Sequence, residues 1–169
     1  MTATMTSPRE LFLHELGDVY YAENQIVKKL PKMIEEASDP ELSKGLEKHL
    51  GETKQQIANL ERVFSDMGEK AKGERCPGIE GIAEEHDLFM SKHDPSPELR
   101  DMFLTGAAAR VEHYEIAAYN SLIEMARGLG ETTSADLLKK NLAQEQHALE
   151  TVESVGARMA KDAKRMAAV

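Results

Sequence analysis

Several residue types are scarce in this 169-residue chain, and each shortage excludes a class of protein. Tryptophan is absent, aromatic residues make up 5% of the chain, and Cys76 is the single cysteine. One cysteine cannot form an intramolecular disulfide, which excludes a small disulfide-stapled scaffold. The low aromatic content and the lack of clean apolar-polar alternation argue against β-strands. The chain is therefore expected to be helical and to bury its core without covalent cross-links.

Long apolar runs are missing too. No segment approaches the roughly 18 consecutive apolar residues of a membrane-spanning helix. The opening MTATMTSPRELF has neither the basic lead nor the apolar centre of a secretion signal. We therefore expect a cytoplasmic protein that has no membrane partner.

Positive charge is in short supply, because 21 Lys and Arg face 30 Asp and Glu and the formal charge is -9. A nucleic-acid-binding protein gathers its positive charge on one surface. Here such a cluster appears only near the C-terminus, around Lys161, Lys164 and Arg165, where it is mixed with Asp162. We interpret this tail as a frayed, solvated end and expect no nucleic-acid partner.

The chain does contain a series of helix signals. Ser7-Pro8, Asp39-Pro40 and Ser96-Pro97 each place a capping side chain before a first-turn proline, and Gly68 and Gly130 are typical stop residues. Apolar residues recur between these signals at spacings of three and four. The predicted helices cover residues 8–36, 40–67, 79–91, 97–128 and 133–156, followed by a weaker helical tail over 157–169.

The lengths of these helices and their connections predict the fold class. Two hairpins of long helices are joined by a long crossover that carries one short extra helix. This arrangement is an all-α, ferritin-like four-helix bundle, with residues 1–169 forming one domain. Pro31 lies inside the first helix and is expected to kink or end it.

Polar residues interrupt the apolar stripe of each long helix near its middle. Glu23, for example, lies four residues after Val19 and three before Ile26, which places it on the inward face. The polar residues at inward positions are Glu23 in the first helix, His49, Glu52 and Gln56 in the second, Glu115 in the third long helix, and Glu145 in the last. Glu112 lies beside the stripe, one turn before Glu115.

Several carboxylates that share a dry interior repel one another, and one unpaired buried charge costs several kcal/mol. No Lys or Arg falls on the same inner segments, so a dinuclear site of divalent cations is the economical hypothesis. Iron and manganese suit mixed carboxylate and imidazole ligands. The alternative stays open that each glutamate, taken alone, is wrongly phased, sits at a helix end, or extends to solvent.

Three motifs carry a family resemblance. They are LGDVYYAENQ at 16–25, HLGET at 49–53 and VEHYEI at 111–116. The chain resembles, over nearly its whole length, the YciE/YciF family of bacterial ferritin-like proteins. The resemblance implies a ferritin-like fold and a place in bacterial stress responses, in a family with no firmly assigned reaction.

A more distant resemblance to rubrerythrin rests on AENQ at 22–25 and on the spacing of Glu112 and Glu115. It implies that Glu23 is a terminal ligand of a di-iron centre and that Glu145 is the ligand from the last helix. It also implies that Glu52 and either Glu112 or Glu115 are candidate bridging ligands.

The chain departs from the general di-iron pattern, which places Glu-x-x-His on two of the helices. Gln55 follows Glu52 at that spacing and Ala148 follows Glu145, so both expected histidines are missing. His49, one turn before Glu52, is either a ligand or a core histidine held by hydrogen bonds. A site short of imidazole would bind metal more weakly, hold one ion, or lack oxygen chemistry.

Other residues offer weaker signals. His113 and His147 are offset around their helices from the inward glutamates, so we interpret them as surface groups or as groups just outside the ligand set. The four tyrosines could hydrogen-bond to ligand carboxylates or carry a radical, although half-buried packing is the commoner role. Cys76 is interpreted as a small, half-buried side chain.

The leading hypothesis is a cytoplasmic stress protein that binds two iron ions per chain, with manganese as the alternative, and that reacts with peroxide or oxygen. Its ligands would be Glu23, Glu52, Glu112, Glu115, Glu145 and His49. Two other functions stay open, a metal-free structural or interaction bundle and an iron-storage shell. A homodimer is the expected assembly.

Overall fold

The computed structural model describes residues 4–166, with side chains as far as Ala163. Within that range the chain forms five helices and no strand, which confirms the predicted all-α class. The helices are α1 (Pro8–Glu36), α2 (Pro40–Asp66), α3 (Pro77–Lys92), α4 (Pro97–Gly128) and α5 (Thr132–Met166). None of these described helices is both long and apolar enough to cross a membrane.

Local capping explains where the helices begin and end. The Ser7 side chain accepts a hydrogen bond from the Glu10 amide while the Glu10 carboxylate accepts one from the Ser7 amide, a reciprocal capping box. Asp39 caps α2 by accepting from two backbone amides of its first turn. Gly68 and Gly130, with φ of 73° and 78°, follow α2 and α4 in the left-handed conformation that glycine tolerates best.

Pro31 does not end α1, which continues to Glu36. The proline is exposed, whereas Leu30 and Met33 on either side of it are buried. The inward face therefore holds the last turn of the helix against the core, although one backbone donor is missing.

The last helix extends ten residues beyond the end predicted near Gly156. Val155 and the half-buried Met159 continue its apolar face, and Arg158 Nη2 lies 2.8 Å from Asp39 Oδ2 at the start of α2. The predicted frayed tail is thus helical as far as Met166. Lys161 is exposed, and the side chains of Lys164 and Arg165 lie outside the described part of the chain.

Four long helices form the bundle. The hairpin α1–α2 and the hairpin α4–α5 pack together through α2 against α5 and α1 against α4, and α3 lies across α1 and α4. The crossover from α2 to α4 is held on α1 where the Glu74 amide donates to the Gly17 carbonyl oxygen at 3.0 Å. A side chain at Gly17 would clash there, because its Cβ would lie 2.9 Å from the Lys72 carbonyl oxygen. The predicted ferritin-like bundle is confirmed.

The core of the bundle is divided into three levels. Apolar side chains form two separate clusters, which we call the end clusters, one built around Phe12, Leu60 and Leu122 and the other around Leu30, Leu46 and Leu104. Between them each long helix contributes buried polar residues, which together form the polar layer. The polar layer consists of Glu23, His49, Thr53, Gln56, Glu112, Glu115, Asn141 and Glu145.

Candidate metal centre

Four side chains of the polar layer converge on one point. His49 from α2, Glu112 and Glu115 from α4, and Glu145 from α5 each offer one ligand atom, and these atoms all lie within 4.8 Å of one another. Glu112 and Glu115 are three residues apart, so one turn of α4 presents both carboxylates to the same space. All four side chains are buried.

The imidazole of His49 faces two of the carboxylates. Its Nε2 lies 3.4 Å from Glu112 Oε1 and 3.8 Å from Glu145 Oε2. Neither contact has hydrogen-bond geometry, since both ring nitrogens of His49 lack a hydrogen-bond partner. The core histidine held by hydrogen bonds, one of the two predicted alternatives, is therefore not what this structure shows.

Glu23 lies in the same layer but outside the group of four. It is completely buried, and the charge of Glu145 acts directly on its carboxyl group. The hydroxyl of Tyr119 donates a hydrogen bond to Glu23 Oε1, while Glu23 Oε2 has no hydrogen-bond partner.

Glu52 is placed differently from the other predicted ligands. It is half-buried, and its Oε1 lies 2.9 Å from Lys48 Nζ, a cation that the sequence reasoning did not place near the inner segments. Glu52 borders a small cavity of about 30 Å³ that also touches His49 and Glu112. It thus stands at the edge of the layer, and its role as a bridging ligand stays a prediction.

Burial and crowding make the charged forms of these glutamates costly. Burial is the main cause that raises the pKa of Glu23, Glu112 and Glu115 well above the usual range, and the neighbouring Glu145 raises all three further. Without a cation, the layer must therefore take up protons or tolerate strong repulsion.

The buried atoms that lack hydrogen-bond partners are concentrated in this layer. Eight of the eleven such side-chain atoms found among the described residues belong to it. They are Glu23 Oε2, His49 Nδ1 and Nε2, Gln56 Oε1, Glu112 Oε2, both carboxylate oxygens of Glu115, and Glu145 Oε2. Most are oxygens, and one unpaired buried oxygen usually costs about 1–3 kcal/mol. A divalent cation fits this donor set, because it would satisfy several of these atoms at once.

A hydrogen-bond network supports the layer from the side of one end cluster. Gln56 Nε2 donates to Glu145 Oε1. Asn141 Nδ2 donates to the Tyr119 hydroxyl at 3.1 Å, and Asn59 Nδ2 donates to Asn141 Oδ1 at 2.7 Å. Such contacts fix the orientation of carboxylates in metal sites. Sequence reasoning missed Asn141, although its position three residues after Leu138 and four before Glu145 places it on the inward face.

Replacing Tyr119 with Phe is expected to lower the free energy of unfolding by about 1–3 kcal/mol. Glu23 would lose its donor and Asn141 would lose an acceptor, both in a fully buried place. Urea unfolding measures the change. Tyr20→Phe is the matched control, because the Tyr20 hydroxyl donates to the exposed side chain of Glu61. Equal losses for the two variants would contradict the importance of the buried network.

The remaining residues singled out from the sequence lie away from the centre. His113 and His147 are exposed and lie 3.7 and 3.9 Å from Glu153 and Glu150, respectively. Cys76 is fully buried rather than half-buried. Its sulfur lies 3.0 Å from the Tyr114 hydroxyl, and burial raises the pKa of its thiol, which makes it an unreactive packing residue.

A four-helix bundle with a buried histidine and glutamate cluster midway along it defines a ferritin-like protein. The chain belongs to the family described as Domain of unknown function (DUF892), whose model matches residues 7–164. Protein YciF of Escherichia coli strain K12 is 37% identical over 143 residues, which is 84% of this chain and 86% of that protein. The resemblance found in the sequence motifs is confirmed.

Solved structures agree with this assignment. The crystal structure of the E. coli stress protein YciF superposes with a TM-score of 0.88 at 33% identity, covering 93% of this chain and 99% of that one. YcfI from Rhodopseudomonas palustris, for which a structural role has been suggested, gives 0.87 at 40% identity over 90% and 97% of the two chains. A protein from Xanthomonas campestris pv. campestris, at 22% identity and a TM-score of 0.75 over 96% and 100%, shares the fold.

Proposed function

We propose that this protein binds divalent metal ions in its polar layer and that its native load is two iron ions, with manganese as the alternative. The observation that carries the proposal is the concentration of buried, unpaired oxygen and nitrogen atoms in one layer of the bundle. All four long helices contribute to this layer, and four ligand atoms from α2, α4 and α5 lie within 4.8 Å of one another. Buried carboxylates without partners are expensive, and among the side chains that the structure describes no Lys or Arg forms an ion pair with the group of four.

The arrangement suggests which side chains would bind the metal. Glu23 lies outside the group of four, yet Glu115 and Glu145 act on its carboxyl group and its own charge acts on both Glu112 and Glu115. His49, Glu112, Glu115 and Glu145 would hold metal, and Glu23 would add a fifth ligand side chain from α1.

The side chains of this protein would prepare the site for metal. Its carboxyl groups must release protons when a cation binds, and the end clusters exclude water from both sides of the layer. Bound iron would supply redox chemistry toward oxygen or peroxide. The description of E. coli YciF as a stress protein agrees with a role in handling such oxidants.

The small cavity beside Glu52 offers a route by which cations would enter. It is bordered by Lys48, Glu52 and His147 near the surface and by His49 and Glu112 inside. Glu52 would attract an incoming cation once its ion pair with Lys48 is broken. This role agrees with its half-buried position at the edge of the polar layer.

The proposal predicts two ions per chain after anaerobic reconstitution with ferrous iron, measured by elemental analysis of protein purified without chelators. Glu145→Gln should retain less than half of that content, because glutamine keeps the shape of the side chain but removes a ligand carboxylate from the group of four. Glu52→Gln should reach the wild-type content more slowly. If the wild-type protein held no more iron than the Glu145→Gln variant, the metal-binding proposal would be wrong.

A metal-free structural bundle is the second candidate. The raised pKa values of Glu23, Glu112 and Glu115 favour protonated carboxyl groups that need no cation, and a structural role has been suggested for YcfI. This candidate predicts that the melting temperature does not change with iron or manganese. A ligand that binds only the folded state must raise the melting temperature.

A homodimer remains the expected assembly, and sedimentation would distinguish it from an iron-storage shell.

A further inference from the structure

A second, larger cavity also touches His49 and Glu112 of the polar layer, but it is lined mainly by other helices than the cavity beside Glu52. It has a volume of about 50 Å³ and lies between α1, α3 and α4, with His49 of α2 and Glu112 at one end. Its walls are almost entirely hydrocarbon, formed by Ile26, Leu30, Ile79, Ile82 and Val111. The crossover helix α3 therefore does more than connect α2 to α4, since it supplies one wall of this space.

Small side chains leave this space open. Ala83 of α3 and the buried Ala107 and Ala108 of α4 line it, where a larger residue would fill it. A cavity of about 150 Å³ with apolar walls stays dry and admits benzene or xenon. The cavity here is a third of that size, so its natural occupant is an apolar molecule of very few atoms.

Two of the polar residues that line the cavity are engaged with partners outside it. Lys29 is paired with Asp87, and His86 Nε2 lies 2.8 Å from Glu36 Oε2. At the inner end, His49 is 4% exposed and both its ring nitrogens lack hydrogen-bond partners. Gln25 is half-buried and also lines the cavity, so a molecule there meets mainly hydrocarbon, the amide of Gln25, and the unpaired ring nitrogens of His49 where it reaches the polar layer.

We propose that this cavity binds dioxygen and delivers it to the His49 and Glu112 side of the polar layer. Dioxygen is small and apolar, so it enters a hydrocarbon-lined space without losing hydrogen bonds. Peroxide carries two hydroxyl groups whose transfer from water into apolar surroundings is costly. The binding of gas stands on the cavity alone, whereas delivery to a reacting centre rests on the proposed metal function.

Xenon tests the gas site in the metal-free protein. In a crystal of the full chain pressurised with xenon, we expect anomalous density between Ile79, Ala107 and Val111. A chain of ordered waters in that place, or no xenon there, would overturn the proposal. Ala107→Leu should abolish the xenon signal, because the added carbons fill the cavity. Ala135→Leu is the matched control, a buried alanine in the opposite end cluster that does not line the cavity.

The same variants separate dioxygen from peroxide in protein loaded with ferrous iron. Ala107→Leu is expected to slow oxidation of the iron by dioxygen at least tenfold, with iron content unchanged and the rate with peroxide changed less than twofold. If Ala107→Leu does not fold, Ala83→Leu, at a half-buried position, is the replacement variant that fills the cavity. Equal slowing by both oxidants, or none with dioxygen, would refute delivery through the cavity. If the protein binds xenon but takes up no iron, the proposal of a metal centre is refuted and the proposal of a gas site is supported.

Discussion

Replacing Glu112 and Glu115 together with glutamine is expected to stabilise the metal-free protein and to abolish its stabilisation by metal. Glutamine keeps the shape of glutamate but removes two carboxyl groups from a dry, crowded place, and its amide can donate to the carboxylates that remain. We expect the free energy of unfolding at pH 7 in a chelator to rise by about 1–3 kcal/mol. Urea titration measures it.

Metal should stabilise the wild-type protein but not the double variant. Anaerobic addition of Mn²⁺ at 100 times its dissociation constant should stabilise the wild-type protein by about 2.7 kcal/mol for each ion bound. The double variant should show no such gain. Glu35→Gln with Glu47→Gln is the matched control, because both are exposed glutamates. A double variant that is less stable without metal, yet still stabilised by Mn²⁺, would place the cation elsewhere.

The metal-free protein is expected to lose stability as the pH rises from 5 to 7. An unfolded glutamate titrates near pH 4.3, whereas the pKa values of Glu23, Glu112 and Glu115 are raised well above that in the fold. Between these limits the folded state holds protons that the unfolded state has released. The stabilisation is complete below the unfolded pKa and is lost as pH rises towards the folded pKa. Each such group contributes a slope of about 1.4 kcal/mol per pH unit.

Carboxylates with lowered pKa values do not contribute to the change in the free energy of unfolding between pH 5 and 7. Interaction with Lys29 is the main cause that lowers the pKa of Asp87 to about 2, so its contribution changes only below about pH 4. Urea unfolding in a chelator at pH 5, 6 and 7 measures the slope. The Glu112→Gln and Glu115→Gln double variant should flatten it, which separates these groups from the histidines. Identical slopes in both proteins would refute the assignment.

The fold could be predicted from the sequence because its signals are local. Capping residues such as Ser7 and Asp39, first-turn prolines and the spacing of apolar residues act within one or two turns. The end of α5 could not be found in this way. It depends on the contact between Arg158 and Asp39, which are far apart in the chain.

The centre could be predicted only in part, because helix phase tells which face a residue occupies but not where its side chain points. Glu23, Glu112, Glu115 and Glu145 are all buried in one layer, as their phase predicts. Glu52 has nearly the same phase as His49, yet its carboxylate turns to Lys48. The two cavities could not be predicted, because they are spaces between helices that only packing creates.

The division of the core into two end clusters bears on whether the bundle stays folded when no ion is bound. Apolar packing holds the four long helices together on both sides of the polar layer. The bundle therefore keeps its shape whether or not ions are bound in that layer. A bundle of this design would release the proposed ions and take them up again without refolding.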